Sequence, residues 1–110
     1  MSTTLDEQTF DIEAEKTLLH LETCLTELDD SMDVEFSMGV LTIEFESGRK
    51  FVINSHRAAR QIWMSAYATA WHFDYDGVAW LATKTNEELL AVVNEQVGKE
   101  LGCAVSISMN

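Results

Sequence analysis

The 110-residue chain has no proline, only two cysteines and, in its first forty-six residues, a single basic side chain, Lys16. Each scarcity closes off a class of protein. With no proline, repeat or low-complexity segment, no linker is visible, and 46% hydrophobic content suits one domain, residues 1–110, around one core. Cys24 and Cys103 are far apart in sequence and have no further thiols beside them, which argues against a zinc ribbon, a redox pair or a disulfide scaffold. A reducing compartment is expected. No run approaches the ~18 consecutive apolar residues of a membrane span. Residues 1–10 are polar and acidic, unlike a secretory signal or a transit peptide, so a soluble cytoplasmic protein is expected.

The scarcity of base is local. Thirteen of the nineteen carboxylates lie between residues 6 and 46, whereas residues 47–110 carry six acids and six bases. The formal charge of -12 therefore arises entirely in the first part. A field of this sign repels nucleic acid and anionic lipid, and attracts metal cations or a basic protein surface. Signals for catalysis are also missing. There is no phosphate loop or nucleophile elbow, neither cysteine has a histidine in a catalytic pattern, and His20, His56 and His72 are too scattered for a tight metal cage. The chain is not expected to be an enzyme.

What is present is periodicity. Phe10, Ala14, Leu18, Leu21, Leu25 and Leu28 recur at steps of four and three, which predicts an amphipathic helix over residues 9–28. At ~100° per residue, Asp11, Glu15 and Glu22 run along one edge of that stripe, while Glu13, His20 and Glu27 fall on a face expected to point away from it. Both columns should be solvated. Asp29, Asp30 and Ser31 end the helix, since carboxylates are unfavourable at a helix C-terminus and Asp and Ser favour turns.

From Asp33 the period becomes two. Val34 and Phe36, then Leu41, Ile43 and Phe45, alternate with Asp33, Glu35, Thr42, Glu44 and Glu46, which predicts a half-buried antiparallel hairpin turning at Met38-Gly39. A third strand is expected over residues 50–54, a connection over 54–57, and a fourth strand over 61–65. A fifth is expected around Trp71 to Tyr75, and a two-residue turn at Asp76-Gly77 leads to a sixth. Thr85 and Glu88 have the spacing of a capping box, and the second helix continues through Leu101 to a C-cap at Gly102, followed by an extended tail. Helix, strands, helix gives an α+β two-layer sandwich: two helices on one face of an antiparallel sheet of about five to six strands, with the other face open.

An open face has to be polar, or used. A solvated acidic face is the ordinary reading of such carboxylates, yet clustering them across separate elements costs stability through like-charge repulsion. Hard cations accept oxygen ligands, and an exposed ridge without an inward-facing cage should bind them weakly and at overlapping places. His20 could add a nitrogen ligand. A strand tryptophan is ordinarily core. Trp63 shares a face with Gln61, opposite Ile62 and Met64, which places it on the open face as a contact anchor.

Gly39-Val40-Leu41-Thr42-Ile43-Glu44-Phe45 followed by Gly48, then Phe51-Val52-Ile53-Asn54, Gln61-Ile62-Trp63, Phe73-Asp74 and Trp80, in this order and spacing, resemble the frataxin family in its bacterial branch. The likeness spans nearly the whole chain. It implies an α-β-sheet-α sandwich and an iron-binding regulator or iron chaperone of iron–sulfur cluster assembly. Such a protein docks on the cysteine desulfurase and the scaffold, is expected to be a monomer without iron, and has no role at nucleic acid or membrane. By position, the resemblance puts an acidic ridge for iron on Asp11, Glu15, Glu22, Glu27, Asp29, Asp30, Asp33, Glu35 and Glu44, and a partner surface on Asn54, Gln61 and Trp63. Two departures stand out. A proline usual before the Gln-x-Trp strand is replaced by Ala58-Ala59-Arg60, and a second carboxylate often found after Glu22 is Thr23. A different class fits acidity and element order alone: a secretion-type chaperone that binds an effector segment as a dimer.

Overall fold

The computed structural model describes residues 6–109. Helix α1 (Glu7–Leu28) is followed by strands β1 (Asp33–Ser37), β2 (Val40–Glu44), β3 (Lys50–His56), β4 (Gln61–Ala66), β5 (Thr69–Tyr75) and β6 (Trp80–Ala82), then helix α2 (Leu89–Leu101). The strands form one antiparallel meander in the order β1-β2-β3-β4-β5-β6. Both helices bury their apolar stripes in the same core as Leu41, Ile43, Phe51, Ile53, Ile62, Met64 and Phe73, so both cover one face of the sheet. The expected two-layer α+β sandwich is what forms.

Helix α1 starts two residues earlier than its apolar period suggests, because the Asp6 carboxylate accepts the Thr9 N–H at 2.7 Å and caps it. That bond holds the Asp6 carboxyl below the usual aspartate range. Phe10, Leu18, Leu21 and Leu25 are almost wholly buried, each contributing about 1.5–3 kcal/mol of transfer free energy. The stripe also includes one polar residue. Thr17 is 4% exposed, and its hydroxyl donates to the Glu13 carbonyl at 2.8 Å and accepts from the Trp80 indole at 3.1 Å. Both polar groups are hydrogen-bonded, which offsets the cost of burying them.

The β1–β2 hairpin closes through Met38 and Gly39, both left-handed (φ 53° and 80°), with Ser37 paired to Val40. This is the two-residue geometry whose twist suits flanking strands. Gly39 is doubly required, since a Cβ there would also lie 2.7 Å from the Ser55 hydroxyl. Three expectations need correction. Strand β3 runs on to His56, so the connection lies at residues 57–60, where Arg60 takes φ 55°. The β5–β6 link is a four-residue loop rather than a two-residue turn: Tyr75 pairs with Trp80, and the Asp76 carboxylate binds the N–H groups of Val78 and Ala79 at 2.8 Å each. Finally, the Thr85–Glu88 capping box does not form. Residues 82–88 are drawn back to the sheet by the Ala82 N–H to Glu87 carbonyl bond and the Leu81–Glu88 bridge. Glu88 is therefore itself the N-cap, accepting from Leu90 and Ala91.

One turn gives no signal in the sequence. Tyr67 and Ala68 join β4 to β5 with both residues left-handed (φ 53° and 69°), at a cost of about 1–2 kcal/mol per residue. Tertiary contacts offset it. The Arg49 guanidinium and the Lys99 ammonium lie over the Tyr67 ring, 4.5 Å and 4.7 Å from its centroid, and its hydroxyl donates to Glu100 at 2.6 Å. Glu100 also accepts from Ser47 at 2.8 Å and pairs with Arg49 at 3.1 Å. The Tyr67 and Ser47 bonds, with Arg49 behind them, hold the Glu100 carboxyl below the usual glutamate range, while burial and Glu100 push the Tyr67 hydroxyl up. The C-terminal end of α2 is thereby fastened to the sheet.

Gly98 sits where the tail turns back. A Cβ on it would stand 2.7 Å from the Cys103 carbonyl, a backbone atom that cannot move aside cheaply. The tail then lies extended along the helices as expected, with Val105 and Ile107 packed on the core and the Asn94 side chain binding both the N–H and the carbonyl of Ile107.

Candidate functional site

The carboxylates of the acidic part divide by element. On α1, Asp11 is half-buried and pairs with Arg57 at 3.1 Å, while Glu7 takes the same guanidinium at 2.8 Å. Their charge is partly compensated by the β3–β4 turn. Glu15 is exposed and Glu22 half-buried, and among the described residues neither is in an ion pair. At the helix end, hydrogen bonds from the Ser31 side chain and backbone hold the Asp29 carboxyl below the usual aspartate range, and Asp30 is exposed.

The strands continue the line. Asp33 stands directly opposite Glu44, Glu35 opposite Thr42, and Glu44 opposite Lys50. Asp33, Glu35 and Glu44 line a shallow cleft of about 360 Å³ with Thr26, Met32 and Lys50. Like charges directly opposite in an antiparallel ladder are destabilising, and opposed pairs change stability by roughly 0.2–1 kcal/mol. Asp33→Asn is therefore expected to raise unfolding stability by about that much at low salt, and less as salt is added; urea denaturation at two ionic strengths measures it.

Among the described residues, no three His, Cys, Asp or Glu side chains converge on a common point. A cation on this edge would meet one or two carboxylates at a time, with water completing its shell, which suits a hard ion bound weakly. Glu27 is exposed on a different part of the helix surface from Glu15 and Glu22. The column it was expected to share does not point away from the molecule. Glu13 accepts from the Tyr75 hydroxyl at 3.4 Å, and His20 Nε2 hydrogen-bonds the Ser108 carbonyl, so both face neighbouring segments. Periodicity alone misplaced them because it took the buried stripe as purely apolar; Thr17 widens it towards this side.

The open face of the sheet carries the other candidates. Asn54, Trp63 and His72 are consecutive partners across β3, β4 and β5, and Val40 pairs with Asn54 at the far end of the row. Trp63 lies outside the core, as its register with Gln61 implies, but it is only half-exposed. His56 stacks on one face of its indole at 3.8 Å between ring centroids, and His72 on the other at 4.2 Å. The indole N–H donates to Gln61 at 2.8 Å, and the Gln61 amide donates to Asp74 at 3.0 Å. Asn54, Gln61 and Trp63 are thus brought together, with two histidines and an aspartate that sequence reasoning did not include. The signal for His72 was available, since it alternates with the buried Phe73 and with Trp71, which packs half-buried against the core. His56 was hidden by ending β3 two residues early.

With this geometry in place, comparison with known proteins gives one consistent result. A family model described as a frataxin-like domain matches residues 3–103. Two relatives named iron–sulfur cluster assembly protein CyaY are similar to the chain. One, from Dechloromonas aromatica (strain RCB), is 33% identical over 92% of this chain and 97% of its own length; the other, from Janthinobacterium sp. (strain Marseille), is 34% identical over 92% and 95%. Among solved structures, frataxin from Psychromonas ingrahamii superposes with a TM-score of 0.87 at 22% identity, covering 94% of this chain and 99% of that one, which speaks to fold. Trimeric frataxin from Saccharomyces cerevisiae, in a complex with ferrous ion, superposes at 0.73 with 27% identity, covering 93% and 91%.

Proposed function

The chain belongs to the frataxin-like family, and from that premise we propose that it serves iron–sulfur cluster assembly as an iron-binding regulator and iron chaperone rather than as a catalyst. Iron is its cargo, held weakly by the carboxylates of Glu15, Glu22, Asp29, Asp30, Asp33, Glu35 and Glu44. The same edge docks on a basic surface of a cysteine desulfurase, while Asn54, Gln61 and Trp63 on the open face meet the scaffold. Asp11 contributes less than the family pattern implies, because Arg57 already compensates it. Glu27 lies off the line and is at most a peripheral ligand.

The observation that carries this reading is the Asp33–Glu44 pair with Glu35 beside it. Asp33 and Glu35 share this patch with Glu44, whose one opposed base is Lys50, so three carboxylates meet a single cation and the surplus negative charge has its value in what it attracts. The chaperone alternative rests on acidity and element order, both of which family membership already accounts for. In this reading the protein is a cytoplasmic monomer when free of iron.

Paramagnetic Fe²⁺ supplies the test. On titration into ¹⁵N-labelled protein, the first amide signals to vanish should be those of residues 29–35 and 44, with Glu22 close behind. Broadening spread evenly over the molecule, or centred on α2, would count against an acidic-edge site.

A further inference from the structure

We propose that the outer side of β1 takes up an extended segment of a basic partner polypeptide as an additional antiparallel strand. Such docking is a way for the acidic edge to meet a basic protein, and so rests on that part of the reading above. The sheet has two edges, and they differ. At β6, the Leu81–Glu88 bridge and the Ala82 N–H to Glu87 carbonyl bond bring residues 87 and 88 against the strand and cover it. At β1 there is only β2, on the inner side.

Register says which groups are left over. Ser37 and Val40 close the two-residue turn as a hydrogen-bonded pair, so the alternation of an antiparallel ladder makes Glu35–Thr42 the next bonded pair. Phe36–Leu41 and Val34–Ile43 are the unbonded pairs between them and beyond. The N–H and carbonyl groups of Val34 and Phe36 therefore point away from the sheet. Among the described residues, no backbone bond from a turn, loop or cap reaches them. A row of unpaired groups like this is a template for another strand.

The side chains select the occupant. Val34 and Phe36 pack against the core but stay half-buried, because no strand lies beyond them. Val34 also lines the cleft of about 360 Å³ bordered by Asp33, Glu35 and Glu44. A strand added ~4.8 Å away sets its own side chains beside those of β1 in alternation. Asp33 and Glu35 are exposed on the other face of β1. Charge on an edge ordinarily guards against self-pairing, and here it bars a second copy of this chain, whose β1 carries the same sign. A segment with lysine or arginine at alternate positions meets the opposite condition. Each base then faces a carboxylate, and each intervening apolar residue extends the core over Val34 and Phe36. Backbone bonds supply the affinity of such an addition and the alternating side chains its specificity.

The test uses the whole ¹⁵N-labelled protein at low salt and the peptide acetyl-Thr-Lys-Val-Arg-Val-Lys-Thr-amide, with amide hydrogen exchange followed residue by residue. In the free protein the Val34 and Phe36 amides should exchange fast, and those of Glu35 and Ser37, bonded to β2, slowly. Peptide at about ten times its Kd should slow exchange at Val34 and Phe36 by about tenfold. The same peptide with both valines N-methylated keeps every charge but loses the donors that face β1. It should bind about tenfold or more weakly, from the hydrogen bonds forgone, and give no protection. Equal affinity for the two peptides would overturn strand addition. So would shifts at residues 33, 35 and 44 without slowed exchange at Val34 and Phe36, which would leave the edge as an attractor of bases only. No shifts from either peptide would overturn the acidic-edge docking as well. Protection of Val34 and Phe36 that rises with protein concentration in the absence of peptide would make a second copy the occupant, and would equally overturn the proposal. No substitution in the protein is needed, so misfolding cannot produce any of these results.

Discussion

Replacing Glu15, Glu22 and Glu35 together by lysine is expected to weaken binding to a cysteine desulfurase by about a hundredfold or more at low salt, roughly 3 kcal/mol, and to leave the fold intact. The size follows from the sign of each contact. Every substitution removes an attraction and adds a repulsion, and like-charge juxtaposition at an interface costs several kcal/mol. The fold tolerates it because Glu15 and Glu35 are exposed, Glu22 is half-buried, and among the described residues none of the three is in an ion pair. Three reversals of two units each bring the net charge from -12 to -6, which also relieves self-repulsion. Isothermal calorimetry gives the affinity, and circular dichroism the fold. Unchanged affinity would remove the desulfurase from this edge.

Trp63→Ala should produce the second large effect, a loss of about 2 kcal/mol, some thirtyfold, in affinity for the scaffold protein. The indole is the one large aromatic in the Val40, Asn54, Trp63, His72 row of the open face, and its N–H is already fixed by Gln61. Its rigidity matters. Held between His56 and His72, the ring loses little freedom on binding, which is what makes an aromatic anchor effective. The substitution also removes two stacks worth roughly 0.5–1.5 kcal/mol each, so a modest fall in unfolding stability should accompany it. Desulfurase binding should be unaffected, since the acidic edge is untouched. Equal loss for both partners would mean a general structural defect instead of a lost anchor.

How legible this molecule was in its sequence depends on which force set each feature. Burial periodicity is strong, so α1, the β1–β2 hairpin and the core side of β4 could be read directly from steps of four and three or of two. The Asp33–Glu44 opposition followed from the two-residue turn at Met38-Gly39, because a hairpin turn sets register. Features that tertiary contacts impose were not visible. Nothing in Tyr67-Ala68 announces a left-handed turn; it persists because the tyrosine is held by contacts with Arg49, Lys99 and Glu100. Thr85 has a sound capping spacing, yet the bonds from Ala82 to Glu87 and from Leu81 to Glu88 outweigh one cap.

Within the candidate site the division is similar. Helical phase separates Glu15 and Glu22 from Glu27, but it could not show that Arg57 reaches across from the β3–β4 turn to Asp11. Nor could it show the tail folding back to His20, a contact between residues 88 positions apart. The acidic edge that remains is shorter than the charge pattern suggests: it begins at Glu15 and Glu22, passes Asp29 and Asp30, and is densest at Asp33, Glu35 and Glu44.

That edge can be located directly by titrating ¹⁵N-labelled protein with unlabelled cysteine desulfurase and following amide shifts at low and at high salt. Shifts concentrated at residues 15, 22, 29–35 and 44, fading steeply as salt rises, are the predicted result. Shifts centred on α2 or the β5–β6 loop, or a pattern indifferent to salt, would contradict it.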